Sequence, residues 1–335
     1  MHRSGHAKPT LPELFGTRHP IVAGGLMWLS DANYVAAAAR AGVLGFITAA
    51  SFPDDDELRR QIRTCREQAD GNPFGVNVSM LPKLVPGEKT ESVFKVIIEE
   101  GVKIVETSGR NPEAFIPLLH EAGVKVLHKV PSLRYALKAQ AIGVDAVSIV
   151  GAECGGHPGM EMIGSFVNSA MALEKLDIPF LIGGGIGHGA QIAAALAMGA
   201  AGVVIGTRFL VAEEIWAHDG YKQRLIEASE SDTTLIMSSI RNTVRALKNE
   251  TTDIVQATES EVKDVTIQDL MPYISGKIGR DAYVSGDTRR GVLAAGQSLA
   301  FVNKSEPLGD IVESLNAEYI AACERIEHLP GLSSQ

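Results

Sequence analysis

Short apolar runs recur along the first two-thirds of the chain, and amphipathic or alanine-rich segments separate them. The runs have the length of buried strands, and the segments between them have the character of helices, for example at 54–69, 112–122 and 132–142. Continuous apolar runs fit a parallel sheet, because helices cover both of its faces. The pattern predicts eight strands, at residues 20–23, 44–48, 74–78, 103–107, 125–128, 146–150, 179–182 and 202–205.

A glycine repeatedly stands between a predicted helix and the next predicted strand. It does so in Ala41-Gly42-Val43, Glu100-Gly101-Val102, Ala122-Gly123-Val124 and Ile142-Gly143-Val144, with Met198-Gly199-Ala200 as a looser fifth copy. Glycine commonly ends a helix because it adopts the left-handed conformation without steric cost. The repeat therefore predicts helices that end in such a glycine and lead directly into a buried strand.

Strands that alternate with helices indicate an α/β fold with a parallel sheet. Eight such units in roughly 200 residues favour a closed (β/α)₈ TIM barrel. The alternative is an open, doubly wound sheet that binds a dinucleotide through G-x-G-x-x-G after its first strand. The first turn reads Ala23-Gly24-Gly25-Leu26-Met27-Trp28 and lacks that motif. The barrel is therefore the predicted fold.

The rhythm changes after the eighth predicted strand, where residues 210–275 are more polar and have a largely helical pattern. One helix is predicted over 232–250, carrying Arg241, Arg245 and Lys248 on an exposed face. A return segment at 287–301 and a closing helix at 308–328 follow. We therefore predict a barrel formed by 12–209 and 287–330, and a mainly helical lid or substrate subdomain at 210–286.

Composition, charge and cysteine spacing argue against nucleic-acid binding and against a metal site. The 335 residues include 40 Asp and Glu against 31 Lys and Arg, a formal net charge of −9, and only 5% are aromatic. Such a chain is a poor nucleic-acid binder, because phosphate contacts need clustered cations and base stacking needs aromatic side chains. Three widely spaced cysteines show no metal-ligand spacing, so no metal site is expected.

Two sequence features bear on location. The first ten residues lack an apolar core typical of a signal peptide. Residues 180–207 carry no charged side chain, but eight glycines interrupt this stretch, so buried strand, helix and strand are expected there and not a membrane span. Scattered cysteines also fit a reducing compartment, and a cytoplasmic protein is predicted.

Barrel enzymes place their functional groups where the strands end, and a phosphate commonly binds the loops after strands seven and eight. Those loops here begin Gly183-Gly184-Gly185 and Gly206-Thr207. Glycines let backbone N–H groups approach an anion closely, so a phosphate site is predicted. The alternative is that these glycines only make tight turns.

Lys129 and His157 are the candidate catalytic residues. Lys129 ends a buried strand, where a cation needs an anion or an electron-rich ligand; a flavin would suit it, and a neighbouring carboxylate is the alternative. His157 lies between glycines in the loop after strand six and titrates near neutral pH, so it could accept or donate a proton, or simply be solvated.

The run Ala152-Glu153-Cys154-Gly155-Gly156-His157-Pro158-Gly159, with His128-Lys129 and Gly206-Thr207-Arg208-Phe209, resembles the nitronate monooxygenase family, formerly called 2-nitropropane dioxygenase. The resemblance covers nearly the whole chain and implies an FMN-dependent TIM-barrel oxidoreductase in which His157 faces the flavin. It implies that FMN is held by Gly24, Gly25, Ser79, Lys129, Gly155, Gly183, Gly184, Gly185, Gly206 and Thr207. Three further positions, at strand ends and in a late loop, complete the expected cofactor site: Ala23, Asn77 and Gln297.

Within that family the chain is similar to bacterial NADH:quinone reductases, in Phe74-Gly75-Val76-Asn77 and in the proline-bearing loop 81–86, whose Pro82 would gate the substrate. We therefore expect hydride to pass from NAD(P)H to FMN and two electrons to reach a quinone-like acceptor. Lys129 would stabilise the reduced ring, and His157 would orient or protonate the substrate. A homodimer is compatible with this expectation.

Three alternatives remain open. The segment Ala295-Gly296-Gln297-Ser298 is similar to one in nitronate-oxidising members, which would use O₂ to reoxidise the flavin. An enoyl-thioester reductase shares a similar Gly-Gly-His motif. A different class is a barrel without flavin, either a phosphate-binding protein or an aldolase that uses Lys129 as a Schiff-base nucleophile.

Overall fold

The computed structural model describes residues 8–80 and 89–329. Its internal contacts divide the chain into two compact units. The first, called the barrel unit below, contains the described residues up to Ile149, together with Phe166–Ile182 and Ala194–Val204. The second, called the appended unit, contains Val150–Ser165, Gly183–Ala193 and the described residues from Ile205 onward. The predicted division at 210 and 286 stays a prediction.

Eight strands close into a barrel in the order β1 to β8, and the pairs from β1 to β6 are parallel, which confirms the predicted fold. The bounds differ from the predicted ones by at most two residues. The strands are β1 (Ile21–Ala23), β2 (Leu44–Thr48), β3 (Gly75–Met80), β4 (Ile104–Gly109), β5 (Lys125–Val130), β6 (Ala146–Val150), β7 (Phe180–Gly183) and β8 (Gly202–Ile205).

Helices separate the strands, and side chains begin two of them as N-caps. Asp31 accepts a hydrogen bond from Tyr34 N at 3.1 Å, and Asp54 accepts one from Glu57 N at 2.8 Å. The five glycines of the repeat have φ between +67° and +87°, which confirms the predicted left-handed helix ends. The helices of this part are α1 (Leu11–Phe15), α2 (Ala32–Arg40), α3 (Asp55–Gln68), α4 (Thr90–Glu99), α5 (Ile116–Glu121), α6 (Leu133–Ala141), α7 (Ser165–Lys175) and α8 (Gly189–Ala197).

The interior of the barrel is apolar at the end where the strands begin. Leu11 and Phe15 of α1 pack there with inward-facing residues of seven strands. β3 contributes Gly75 at this level, because a Cβ on Gly75 would lie 2.5 Å from the ring of Phe46. The remaining members of the cluster are Val22, Leu44, Phe46, Ile104, Leu127, Ala146, Leu181 and Val204. This packed layer leaves only the other end of the barrel available for polar chemistry.

The appended unit contains helices and one antiparallel hairpin, whose strands pair with Val244 opposite Ile236 and Leu247 opposite Thr233. The single helix predicted over 232–250 is therefore wrong. Threonine, isoleucine and valine favour extended structure, and Met237 and Arg241 turn the chain with φ of +60° and +56°. The elements are α9 (Asp219–Ile226), β9 (Thr233–Ile236), β10 (Val244–Leu247), α10 (Glu250–Glu261), α11 (Ile267–Ile274), α12 (Gly276–Ser285) and α13 (Leu308–Glu327).

The hairpin has its own small core. Ile236, Met237, Val244 and Ala246 pack with residues of α10 and α11. The closing helix α13 matches its prediction to within one residue. Among the described residues, none of the helices combines the length and apolarity needed to cross a lipid bilayer.

Candidate active site

A row of polar side chains crosses the interior of the barrel unit near the carboxyl ends of its strands. Thr48 of β2 pairs in register with Asn77 of β3, and Asn77 pairs with Glu106 of β4. Lys129 of β5 lies two residues beyond Leu127, the register partner of Glu106. Because alternate residues of a strand share a face, Lys129 points to the same interior as Leu127. Thr48, Asn77 and Glu106 are each no more than 2% exposed.

Glu106 connects this row. One of its carboxylate oxygens, Oε2, accepts hydrogen bonds from Asn77 Nδ2 and, at 3.0 Å, from Lys129 Nζ. The Glu106 side chain is fully buried, whereas that of Lys129 is 24% exposed. A buried carboxylate needs such partners, because removal from water destabilises an unpaired charge by several kcal/mol. Both alternatives for Lys129 thus stay open, since a lysine paired with a carboxylate can also face a ligand.

Sequence reasoning missed Glu106. The signal was present, because a glutamate inside the predicted strand at 103–107 has to be paired once that strand is buried. What the sequence lacks is the partner, which the register between neighbouring strands supplies.

Two buried oxygens in this row have no hydrogen-bond partner among the residues that the structure describes: Oε1 of Glu106 and Oγ1 of Thr48. Gly25 lies against the Thr48 oxygen and against Asn77, since a Cβ there would be 3.2 Å from Thr48 Oγ1 and 3.0 Å from Asn77 Cβ. Buried polar atoms are nearly always satisfied, by protein, water or ligand. The row therefore contains two buried oxygens that can still accept a hydrogen bond.

Next to the row, β3 to β5 present further polar groups. The hydroxyls of Ser79 and Ser108 are 3.2 Å apart, and Ser79 is exposed. Thr107 Oγ1 lies 2.8 Å from Nδ1 of His128. Burial lowers the pKa of His128 to about 4, and the charge of Lys129 adds to that effect. His128 is therefore neutral near pH 7. It adds no positive charge beside Lys129 at the end of β5.

In the appended unit, the loop after β6 is fixed at both of its ends. Gly151 N donates to Gly183 O at 2.8 Å. The carboxylate of Glu153 accepts from Ser165 N at 3.0 Å and from Ser165 Oγ at 2.9 Å, at the start of α7. A carboxylate at a helix N-terminus is favourable because the N–H groups there lack partners within the helix.

The glycine triplet Gly183–Gly185, which begins with the last residue of β7, packs tightly against this loop. Gly184 and Gly185 have φ of +98° and +73°. A Cβ on Gly184 would lie 2.9 Å from Gly151 N, and one on Gly185 would lie 3.0 Å from Glu153 Cβ. Backbone conformation and contact with the protein both require glycine here. The predicted phosphate contact stays a prediction, since packing alone accounts for the residue type.

His157 is exposed, and strand β10 holds its neighbour Gly156. Gly156 N donates to Arg245 O at 3.0 Å, and Arg245 N donates to Gly156 O at 2.7 Å. The guanidinium of Arg245 donates to Ala152 O at 3.0 Å and to Thr233 Oγ1 at 3.2 Å. The expectation of a solvated Arg245 on a helix is wrong: the side chain is buried in a strand because it secures this loop.

The segment 295–297 holds the same loop from another direction. Gln297 N donates to Glu153 O at 2.9 Å. A Cβ on Gly155 would lie 2.6 Å from the carbonyl carbon of Ala295. Gly296 N donates to Thr207 Oγ1 at 2.9 Å, next to a 3₁₀ turn at Thr207–Phe209. The segment 295–297 thus contacts both the loop after β6 that carries His157, called the histidine loop below, and the Gly206-Thr207 turn.

The backbone N–H groups at the start of α8 already donate to side chains of the protein. Gly189 N donates to Glu318 Oε2 at 2.7 Å, and Ala190 N donates to His188 Nδ1 at 3.0 Å. Gln191 Oε1 accepts from Gly187 N at 2.9 Å. An anion in this region would therefore use the loop N–H groups and not the start of this helix.

The structure thus separates the predicted site residues into two groups. Those in the barrel unit are Ala23, Gly24, Gly25, Asn77, Ser79 and Lys129. Those in the appended unit are Gly155, His157, Gly183, Gly184, Gly185, Gly206, Thr207 and Gln297. The predicted gate residue Pro82 lies outside the described residues. Among those described, no cluster of three or more histidine, cysteine, aspartate or glutamate side chains could hold a metal ion.

Comparison with known proteins gives consistent matches. A family model described as nitronate monooxygenase matches residues 8–318. A protein of Rhodococcus jostii, named (3aS,4S,5R,7aS)-5-hydroxy-7a-methyl-1-oxo-octahydro-1H-indene-4-carboxyl-CoA dehydrogenase, is 28% identical over 97% of this chain and 98% of its own. The structure of FabK from Thermotoga maritima has 32% identity and a TM-score of 0.85, covering 95% of this chain and 97% of that one. The structure of a nitroalkane oxidase from Streptomyces ansochromogenes has 27% identity and a TM-score of 0.80, covering 94% and 99%.

Proposed function

The chain belongs to the nitronate monooxygenase family of FMN-dependent oxidoreductases, and we propose that it oxidises NAD(P)H and reduces an acceptor whose double bond is conjugated to a carbonyl group. Quinones and enoyl thioesters both belong to this chemical class. A quinone is the predicted acceptor, and the similarity to a carboxyl-CoA dehydrogenase supports testing a thioester beside it.

The polar row in the barrel unit is the observation that carries this proposal. It combines a lysine with two buried acceptor atoms that the described protein leaves unsatisfied. A flavin ring offers both a hydrogen-bond donor and a site where negative charge accumulates on reduction, so the row fits FMN. Gly25, Asn77, Ser79 and Lys129 would hold the flavin ring.

In the appended unit, the loops Gly183–Gly185 and Gly206–Thr207 would hold the FMN phosphate. Backbone N–H groups of these glycine-containing loops are the groups that would donate to the anion. Bound FMN supplies the two-electron carrier that no side chain provides. The protein contributes binding, orientation and charge.

His157 would bind the acceptor and exchange a proton with it. Its side chain is exposed, while the loop around it is held by Arg245 and by residues 295–297. A flexible proton donor would lose much of its effect, because general acid–base catalysis depends on placement within hydrogen-bond reach. The clamped loop meets that requirement.

The aldolase alternative is not supported. The family match indicates a flavin-dependent oxidoreductase and not a Schiff-base enzyme. Nitronate oxidation remains the second candidate function. The similarity to a nitroalkane oxidase favours it, as does the segment Ala295–Ser298, which here packs against the histidine loop.

The test is an anaerobic visible spectrum of the purified protein, recorded before and after NADH, NADPH or propyl-2-nitronate is added. We expect flavin bands that NADH or NADPH bleaches and that menadione or crotonyl-CoA then restores. Bleaching by the nitronate alone would transfer the assignment to nitronate oxidation, and a colourless protein would refute a bound flavin.

A matched pair of variants tests His157. His157→Ala should keep the flavin bands but slow their return with the acceptor by about 10²-fold or more, the usual loss for a general acid. His120→Ala removes a partly exposed histidine that contacts Asp145 and should behave as the parent protein. Equal rates in all three proteins would remove His157 from the mechanism.

A further inference from the structure

The pairing of Lys129 with Glu106 has a consequence beyond holding a lysine in place. The Glu106 carboxylate is fully buried, and the Nζ of Lys129 lies 3.0 Å from one of its oxygens. Glu106 therefore neutralises much of the charge that Lys129 presents at the end of the barrel. The electrostatic effect of Lys129 on a ligand is that of an ion pair and not of an isolated cation.

We propose that Glu106 is a positioning residue that sets the reduction potential of the bound flavin by holding and partly neutralising Lys129. The proposal rests on the proposed flavin site. Asn77 takes part, because its amide donates to the same carboxylate oxygen and limits the directions in which Lys129 can bond. A negative charge beside the lysine keeps the reduced ring less stable, and hence a stronger reductant.

The signs of three variants follow from this arrangement. Glu106→Gln keeps the volume and an acceptor but removes the negative charge, so Lys129 acts as a full cation and the reduced flavin is favoured. Lys129→Met leaves Glu106 buried without its cation, so the reduced flavin is disfavoured and the fold is weakened. The double variant removes both charges and should fall between the single variants in both properties.

The experiment is an equilibrium redox titration of each flavin-loaded protein against a dye of known potential. For Glu106→Gln we expect at least a tenfold rise in the ratio of reduced to oxidised flavin at a fixed potential, which is about 30 mV for a two-electron couple. For Lys129→Met we expect at least a tenfold fall. The control is Glu100→Gln, because Glu100 has a side chain that is only 7% exposed and pairs with Arg63 at 2.7 Å, outside the polar row. It should leave the ratio unchanged.

A second measurement separates this proposal from the flavin assignment. In urea unfolding of the protein stripped of cofactor, Lys129→Met should lower stability, and adding Glu106→Gln should restore part of the loss. If that coupling is present but no variant binds flavin, the ion pair is confirmed and the flavin site is refuted. If flavin binds and Glu106→Gln leaves the ratio unchanged or lowers it, the proposed role of Glu106 is wrong.

Discussion

Substituting Gly184 with alanine tests why a glycine stands directly after β7. The backbone there has φ of +98°, and a Cβ would lie 2.9 Å from Gly151 N and 2.9 Å from Ser165 Oγ. A non-glycine residue with left-handed φ is disfavoured by about 1–2 kcal/mol. Forcing a methyl group into a packed contact costs about 1–3 kcal/mol more. We therefore expect Gly184→Ala to destabilise the protein by about 2–5 kcal/mol.

Two other glycines provide matched controls. Gly143 has φ of +87° but no atom within 4 Å of the place where an alanine methyl group would lie, so Gly143→Ala should show only the backbone cost of about 1–2 kcal/mol. Gly309 has neither a left-handed φ nor a close neighbour. Gly309→Ala should be neutral or stabilise the protein by about 0.4–1 kcal/mol, because alanine restricts the unfolded chain.

The assay is thermal unfolding followed by circular dichroism, with and without added FMN. In a chain longer than 250 residues, 1 kcal/mol shifts Tm by about 2 °C or less, so the three variants should separate by several degrees. Gly309→Ala should have the highest Tm of the three variants, Gly143→Ala an intermediate one and Gly184→Ala the lowest. If Gly184→Ala matched Gly143→Ala without FMN, the close contact with Gly151 would not be what requires glycine.

Three further predictions follow from the site. His128 has a pKa of about 4 in the folded protein and 6.5 in the unfolded chain, so the unfolded state binds a proton first as the pH falls. The free energy of unfolding, measured by urea titration, should therefore fall by about 3 kcal/mol from pH 6.5 to pH 4. His128→Asn should reduce this dependence on pH. Arg245→Met should lower kcat/KM and speed hydrogen exchange of the Gly156 amide while flavin stays bound. Arg245→Lys should restore only part of the loss, because an ammonium group cannot make the planar contacts of a guanidinium. Unchanged amide exchange would show that the guanidinium does not hold the loop. Gly155→Ala should lower Tm by several degrees because the new methyl would meet the backbone of Ala295, and a Tm equal to that of the parent would contradict the close packing.

Local pattern was sufficient for the barrel. Apolar runs and glycine helix ends are properties of neighbouring residues, and hydrophobic burial fixes strand positions to within two residues wherever both faces are covered. The same locality explains the error at 232–250. Polar residues with weak periodicity allow either a helix or a hairpin, and packing of Val244 and Ile236 against α10 and α11 selects the hairpin.

The sequence by itself determined where the barrel strands lie and where glycines end the helices before them, because both can be located one at a time. Only the tertiary structure decided that Glu106 is the partner of Lys129 and that Arg245 fastens the loop of His157. The first depends on the register between neighbouring strands, and the second joins residues 93 positions apart. Such pairings depend on how elements pack together, and no residue pattern within one element contains that information.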